Sequence, residues 1–120
     1  MICYKNELVE LRAITVERHP TLIKLLHWWH DRYPDKTIIT ESWRPALHPG
    51  DVHSVVPYRA IDLRSRVFSA PKTVAQIVNS VWQYDPQRPH MKCCVYHSYK
   101  GGGKHFHLQV HPRTRFIGGE

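Results

Sequence analysis

His105-Phe106-His107-Leu108-Gln109-Val110-His111 is the stretch on which the reading of this chain turns. Side chains two apart on a strand share a face, so His105 and His107 point one way and Phe106 and Leu108 the other. Just upstream lies Lys100-Gly101-Gly102-Gly103-Lys104, and before it the β-rich run Met91 to Tyr99. Strand, glycine-rich turn and strand read as a hairpin with one apolar and one histidine-bearing face.

Working back from the hairpin, Asp85-Pro86-Gln87-Arg88-Pro89 breaks the chain. Before it, Val74, Ile77, Val78, Val81 and Trp82 recur at helical spacing, with Pro71 at the start and Ser69 as the expected cap. Tyr58 to Arg64 reads as a strand with Ala60 and Asp62 on one face and Ile61 and Leu63 on the other. Thr37 to Thr40 is a second short strand. The loop between them, Ala46 to Val52, holds Pro49 and Gly50 and must turn sharply. Further upstream, Pro20 opens a helix whose stripe is Leu22, Ile23, Leu25, Leu26, Trp28, Trp29 and Tyr33, and Pro34 ends it. His27 and His30 belong to its surface or packing. Glu7 to Val16 alternates loosely and is expected to be an edge strand or an extended arm. Helix, strand, strand, helix and hairpin predict an α+β fold, with helices packed on a mostly antiparallel sheet.

The chain has 120 residues, enough for a single domain spanning 1–120 with its own core. With 42% hydrophobic and 22% charged residues it is neither disordered nor membrane-spanning. Its N-terminus lacks an apolar signal core, so synthesis in the cytoplasm without a signal peptide is expected. Cys3, Cys93 and Cys94 are odd in number and two are adjacent, which argues for reduced thiols rather than a disulfide framework. The net charge of +7 favours anionic partners, nucleic acid or cell wall. The basic residues are scattered rather than run together, so nucleic-acid binding, with Trp43, Tyr99 and Phe106 as stacking groups, ranks low.

The chain carries ten histidines, concentrated after residue 47. His53, Asp62 and one of the pair His105/His107 supply two imidazoles and a carboxylate, the donor set of a catalytic zinc site with an open position. The competing reading is a hairpin with surface histidines and a buried Asp62 paired to Arg59 or Arg64. Spacing alone leaves the two level.

Context separates them. Ser42-Trp43-Arg44-Pro45, then His53 with Arg59-Ala60-Ile61-Asp62-Leu63, then His105-Phe106-His107-Leu108-Gln109-Val110 resemble, in this order, the motifs of the LAS metallopeptidases. The resemblance is nearest to the D-alanyl-D-alanine peptidase and murein peptidase branch, whose fold the Hedgehog signalling domain shares. It covers roughly residues 37–112. Two departures stand out. Eight residues separate His53 from Asp62, where the family has about six, and Pro57 in that interval suggests a bulged loop. Lys104 stands where many members carry a catalytic glutamate.

The resemblance implies a Hedgehog/D-Ala-D-Ala-peptidase-like fold and Zn2+ held by His53, Asp62 and His107. It implies Arg44 as a ligand for a substrate carboxylate or carbonyl and His105 as the group stabilising the intermediate or moving protons. With no glutamate at position 104, His105 is the first choice of base, His97 on the partner strand the second, and His48 a distant third. Trp43 is expected to pack in the core, and His90 and His111 to face solvent. The implied activity is hydrolysis of peptidoglycan peptides at D-amino-acid amide bonds, as carboxypeptidase or endopeptidase. The expected partner is therefore a peptidoglycan peptide, with no nucleic acid, no membrane insertion and a monomeric chain. A short, basic chain of this kind resembles bacteriophage endolysins and tail-associated lytic enzymes acting on the cell wall; a cytoplasmic dipeptide-trimming enzyme is the variant within the class. A non-catalytic zinc-containing binding module on the same fold is the alternative outside it.

Overall fold

A computed structural model describes residues 2–98 and 103–119. The elements run β1 (Cys3–Tyr4), α1 (Glu7–Thr15), α2 (Pro20–Arg32), β2 (Ile38–Glu41), β3 (Ala60–Arg64), α3 (Pro71–Val81), β4 (Trp82–Gln83), β5 (Cys94–Ser98), β6 (Lys104–Gln109) and β7 (Arg115–Phe116). The main sheet has the order β1-β2-β3-β6-β5. Only β1 and β2 pair in parallel, so the fold is α+β on a mostly antiparallel sheet.

The apolar face of the sheet builds the core. Ile39, Ile61, Leu63, Phe106 and Leu108 are fully buried there, with Leu22, Leu25, Leu26 and Trp29 of α2 in the same cluster. Side chains of this size contribute roughly 1.5–3 kcal/mol each when buried. Trp29 meets Phe106 edge-to-face at 5.2 Å and Phe68 at 5.7 Å, which fixes α2 against the sheet. At the β5 edge, Asn79 of α3 brackets Cys94: its Nδ2 donates to Cys94 O (2.8 Å) and its Oδ1 accepts from Cys94 N (3.0 Å). Part of an otherwise open strand edge is thereby closed.

Period-two alternation sends Asp62, His105 and His107 to the opposite face. Asp62 lies directly across from His107, and His105 across from both Arg64 and His97. A bulge in β2 between Ile39 and Glu41 sets Glu41 opposite Asp62 and aims the following Ser42–Arg44 segment over this face.

Several expectations are corrected. Glu7–Thr15 is a helix, not a strand or arm: Asn6 caps it by accepting from Val9 N (2.9 Å), and Glu7 and Glu10 favour its first turn. Its buried residues, Val9 and Ala13, are four apart, a signal obscured by the exposed Leu8, Leu11 and Ile14. Ser69 does not cap α3; Ala70 holds that position without a side-chain bond, and Pro71 supplies the first helical residue. The last strand of the hairpin stops at Gln109 rather than running on to His111, although Val110 N, in register opposite Arg59, still donates to Arg59 O (2.9 Å). Of the glycine turn, Tyr99 to Gly102 lies outside the described residues. Among the described residues, no helix is long and apolar enough to cross a membrane.

Candidate metal centre

His53 sits on the loop joining β2 to β3, and the eight-residue interval to Asp62 is taken up by a return that brings Arg59 N to Val52 O (3.1 Å). The loop is anchored by Tyr58, fully buried, whose hydroxyl accepts from Arg18 Nε (2.8 Å) and contacts Ala13 O at 3.4 Å. Asp51 anchors the other end. Its carboxylate accepts from His53 N (3.1 Å), Leu47 N (3.1 Å) and Arg44 Nη2 (3.3 Å).

These restraints bring His53 Nε2 to 3.2 Å and His107 Nδ1 to 3.0 Å from the same oxygen, Asp62 Oδ1. One donor atom from each of the three residues lies within 4.8 Å of the other two, so the group could hold a metal ion. Asp62 and His53 are buried and His107 is half-buried.

The outward nitrogens determine what the inward ones present. His53 Nδ1 is 2.8 Å from Ser42 O. A carbonyl only accepts, so Nδ1 carries the proton and Nε2 presents its lone pair. On His107, Nε2 lies 3.1 Å from Gln109 Oε1, while Gln109 Nε2 donates to Lys92 O at 2.7 Å. The Lys92 carbonyl orients the amide, the amide oxygen takes the proton on His107 Nε2, and Nδ1 presents its lone pair. Burial pushes Asp62 toward the neutral form; when His107 and His53 also carry a proton on the nitrogen facing it, the hydrogen bonds they donate outweigh burial and hold its carboxyl well below the usual carboxylate range. Two imidazole lone pairs and a carboxylate oxygen thus converge, and such a trio requires added protons or a cation between its members. Zinc takes these donors at about 2.0–2.2 Å. The donor set fits.

The remaining predicted residues lie around this group. His105 is buried, with Nε2 3.7 Å from Asp62 Oδ2. His97 lies against His105, with ring centroids 4.7 Å apart and the planes tilted by 54°, and stands 5.9 Å from His107. Burial, then the charges of His105 and His107, push His97 toward its neutral form. Arg44 is buried and ion-paired. Besides Asp51, its guanidinium reaches Asp62 Oδ2 at 3.8 Å and Glu41 at 3.9 Å. His48 is exposed on the loop, with Nδ1 3.0 Å from Pro49 O. Asp62 is partnered by histidines and Arg44, and no bond to Arg59 or Arg64 competes.

Two expectations change here. His111 does not stand free in solvent; it is half-buried, 4.0 Å from Asp85 and beside the ring of Tyr84 at 5.8 Å. Phe106 is fully buried and offers no stacking surface; Trp43 packs half-buried against the core, as expected, and donates to Ser54 O (3.1 Å). Ser42 and Gln109 are the residues whose roles the sequence left unassigned, while Asp51 is the ion-pair partner of Arg44. The only sequence signal was for Gln109, two residues past His107 and hence on the same face. The chain matches no family model, no curated protein and no solved structure.

Proposed function

We propose that this protein is a zinc-dependent peptidase hydrolysing peptidoglycan stem or cross-link peptides at D-amino-acid amide bonds. The observation that carries this reading is the convergence of His53 Nε2, Asp62 Oδ1 and His107 Nδ1, with both imidazoles held in the ligating tautomer by Ser42 O and Gln109. Two imidazoles and one carboxylate are one of the ligand sets of catalytic zinc sites that keep an open position. A zinc ion there would supply Lewis acidity, polarising a scissile carbonyl and lowering the pKa of water toward about 7.

The chain's own groups do the rest. His105 Nε2, 3.7 Å from Asp62 Oδ2, takes the proton of the attacking water and returns it to the leaving amine. His97, packed against His105, limits the swing of that ring and is the second candidate base. Arg44, steadied by Asp51, turns a planar cation toward the Asp62 side of the site, suited to a substrate carbonyl or carboxylate. The setting of action is the bacterial cell wall, as for a bacteriophage lysis or tail-associated enzyme.

The non-catalytic zinc-containing module is the second reading. It is favoured by Lys104, exposed at the start of β6 where many of the peptidases the sequence resembles carry a glutamate. Metal content by mass spectrometry, together with amine release from purified peptidoglycan, tests both. One zinc per chain, chelator-sensitive amine release, and loss of both in His107→Ala support the peptidase. Zinc without amine release from the parent selects the binding module. Full zinc occupancy in His107→Ala removes His107 from the ligand set.

A further inference from the structure

The metal-binding group is reached from two sides. One cleft, about 430 Å³, is lined by His107 and His97 together with Arg44, Arg59 and Arg88. A second, about 710 Å³, is lined by Asp62 and His105 together with Lys5, Arg64 and Arg66. Among the described residues, each contains a single carboxylate in its lining, Asp51 in the first and Asp62 in the second. Asp51 is already bound to Arg44, and Asp62 belongs to the metal-binding group.

Arg59 and Arg64 differ from Arg44 and Arg88 of the same walls by lacking a partner among the described residues, and from Arg66 by being half-buried rather than exposed. Arg44 is tied to Asp51, and Arg88 to Asp85 with its guanidinium over the Tyr84 ring. Among the described residues, the half-buried guanidiniums of Arg59 and Arg64 make no hydrogen bond, ion pair or ring contact. They bracket Asp62, Arg59 just before β3 and Arg64 at its end. Five residues of extended chain separate their backbones by roughly 16 Å, the length of a similar stretch of bound peptide. A pocket closed on one side would hold a chain end at the metal-binding group. A cleft on each side of the group, one walled by His107 and the other by Asp62, leaves room for chain on both sides of the bond to be cut.

We propose that the site cuts inside an acidic peptide rather than trimming its end. The chain lies from one cleft to the other across His53, Asp62 and His107, with one substrate carboxylate at Arg59 and another at Arg64. This rests on the peptidase reading and assigns it an endopeptidase specificity. Each cut consumes one water: the amide C–N bond breaks, the hydroxyl goes to the acyl carbon and the proton to the departing amine. A carboxylate held by a guanidinium in a partly desolvated wall forms a paired, charge-assisted hydrogen bond that a carboxamide cannot replace.

The test uses the full chain, zinc-loaded, with cross-linked peptidoglycan peptides whose free carboxylates are either intact or converted to amides. Internal cleavage of the intact form, at least about tenfold faster in kcat/KM than of the amidated form, is expected. Arg59→Gln and Arg64→Gln should each lower kcat/KM on the intact form about 10–100-fold and leave the amidated form unchanged, with zinc content and melting temperature as in the parent. Release of terminal residues alone, or variants that keep the full carboxylate preference, would overturn the proposal. If the parent cleaves neither form, the peptidase reading fails, and calorimetric binding of the same two peptides decides the clefts. Carboxylate-dependent binding lost in both variants supports them. Equal binding of the two forms, or tighter binding of a single-stranded DNA oligomer that depends on the same arginines, overturns them.

Discussion

Gln109 Oε1 lies 3.1 Å from His107 Nε2, and the same amide donates to Lys92 O at 2.7 Å, so a strand neighbour determines which imidazole nitrogen faces Asp62. Partners of this kind typically carry 10–100-fold of metal affinity. Gln109→Leu should therefore bind zinc about 10–100-fold more weakly while its metal-free form folds as the parent does. A competition titration with a chromogenic chelator measures this, and unchanged affinity would show that His107 needs no orienting partner.

Arg44 joins stability to function. Its guanidinium bridges Asp51 (3.3 Å) and Asp62 (3.8 Å), both buried. Arg44→Ala leaves Asp51 with only the Leu47 and His53 backbone donors, and a lost partner of this kind costs about 1–3 kcal/mol. Arg44→Lys should recover part of that in thermal melts but little turnover, since a point charge cannot span two acceptors as a planar fork does. Equal turnover in Arg44→Lys and parent would count against Arg44 as a substrate ligand.

His105 separates an enzyme from a binding module. It shares the metal-facing side with His107 but is not needed to complete the three-residue donor group. His105→Ala should keep zinc and fold while losing peptidoglycan cleavage by about 10²–10⁴-fold, the usual cost of removing a proton-transfer group. If cleavage continues at the parental rate, the base lies elsewhere and His97→Ala is the next variant to assay.

Asp85 predicts the acid limb of stability. Arg113 grips it through Nε (3.0 Å) and Nη2 (2.7 Å), Arg88 Nε at 2.9 Å and Gln87 N at 3.0 Å. The Arg113 hydrogen bonds first, then the Gln87 and Arg88 bonds, hold its carboxyl well below the usual carboxylate range against the opposing effect of burial. A group with a depressed folded-state pKa stabilises fully above its unfolded value, near 3.9, and loses that contribution as pH falls toward the folded value. The melting-temperature gap between parent and Asp85→Asn should be widest at neutral pH and shrink steadily below about pH 4. A gap that is constant with pH would mean that the carboxylate charge is irrelevant to holding the 85–89 and 111–113 segments together.

The sequence by itself determined the elements with strong periodicity. The Leu22 to Trp29 stripe, the Val74 to Val78 spacing and the alternation through Phe106 and Leu108 each bury one face, and the hydrophobic effect leaves little freedom in how they pack. It also named His53, Asp62 and His107, because ligand chemistry lies in side-chain identity and the alternation along a strand assigns a face. It did not yield α1, whose exposed Leu8, Leu11 and Ile14 blur the helical stripe, nor the two-residue pairings of β1, β4 and β7, too short to carry a pattern. The tautomers were beyond it for a different reason. Those of His53 and His107 depend on the carbonyl oxygens of Ser42 and Lys92, and every residue has such an oxygen. Only the bulge in β2 and the return of the loop at Arg59 decide which carbonyls reach the site and which arginines are left without partners beside it. Those are backbone positions in space, and no side-chain pattern along the chain encodes them locally.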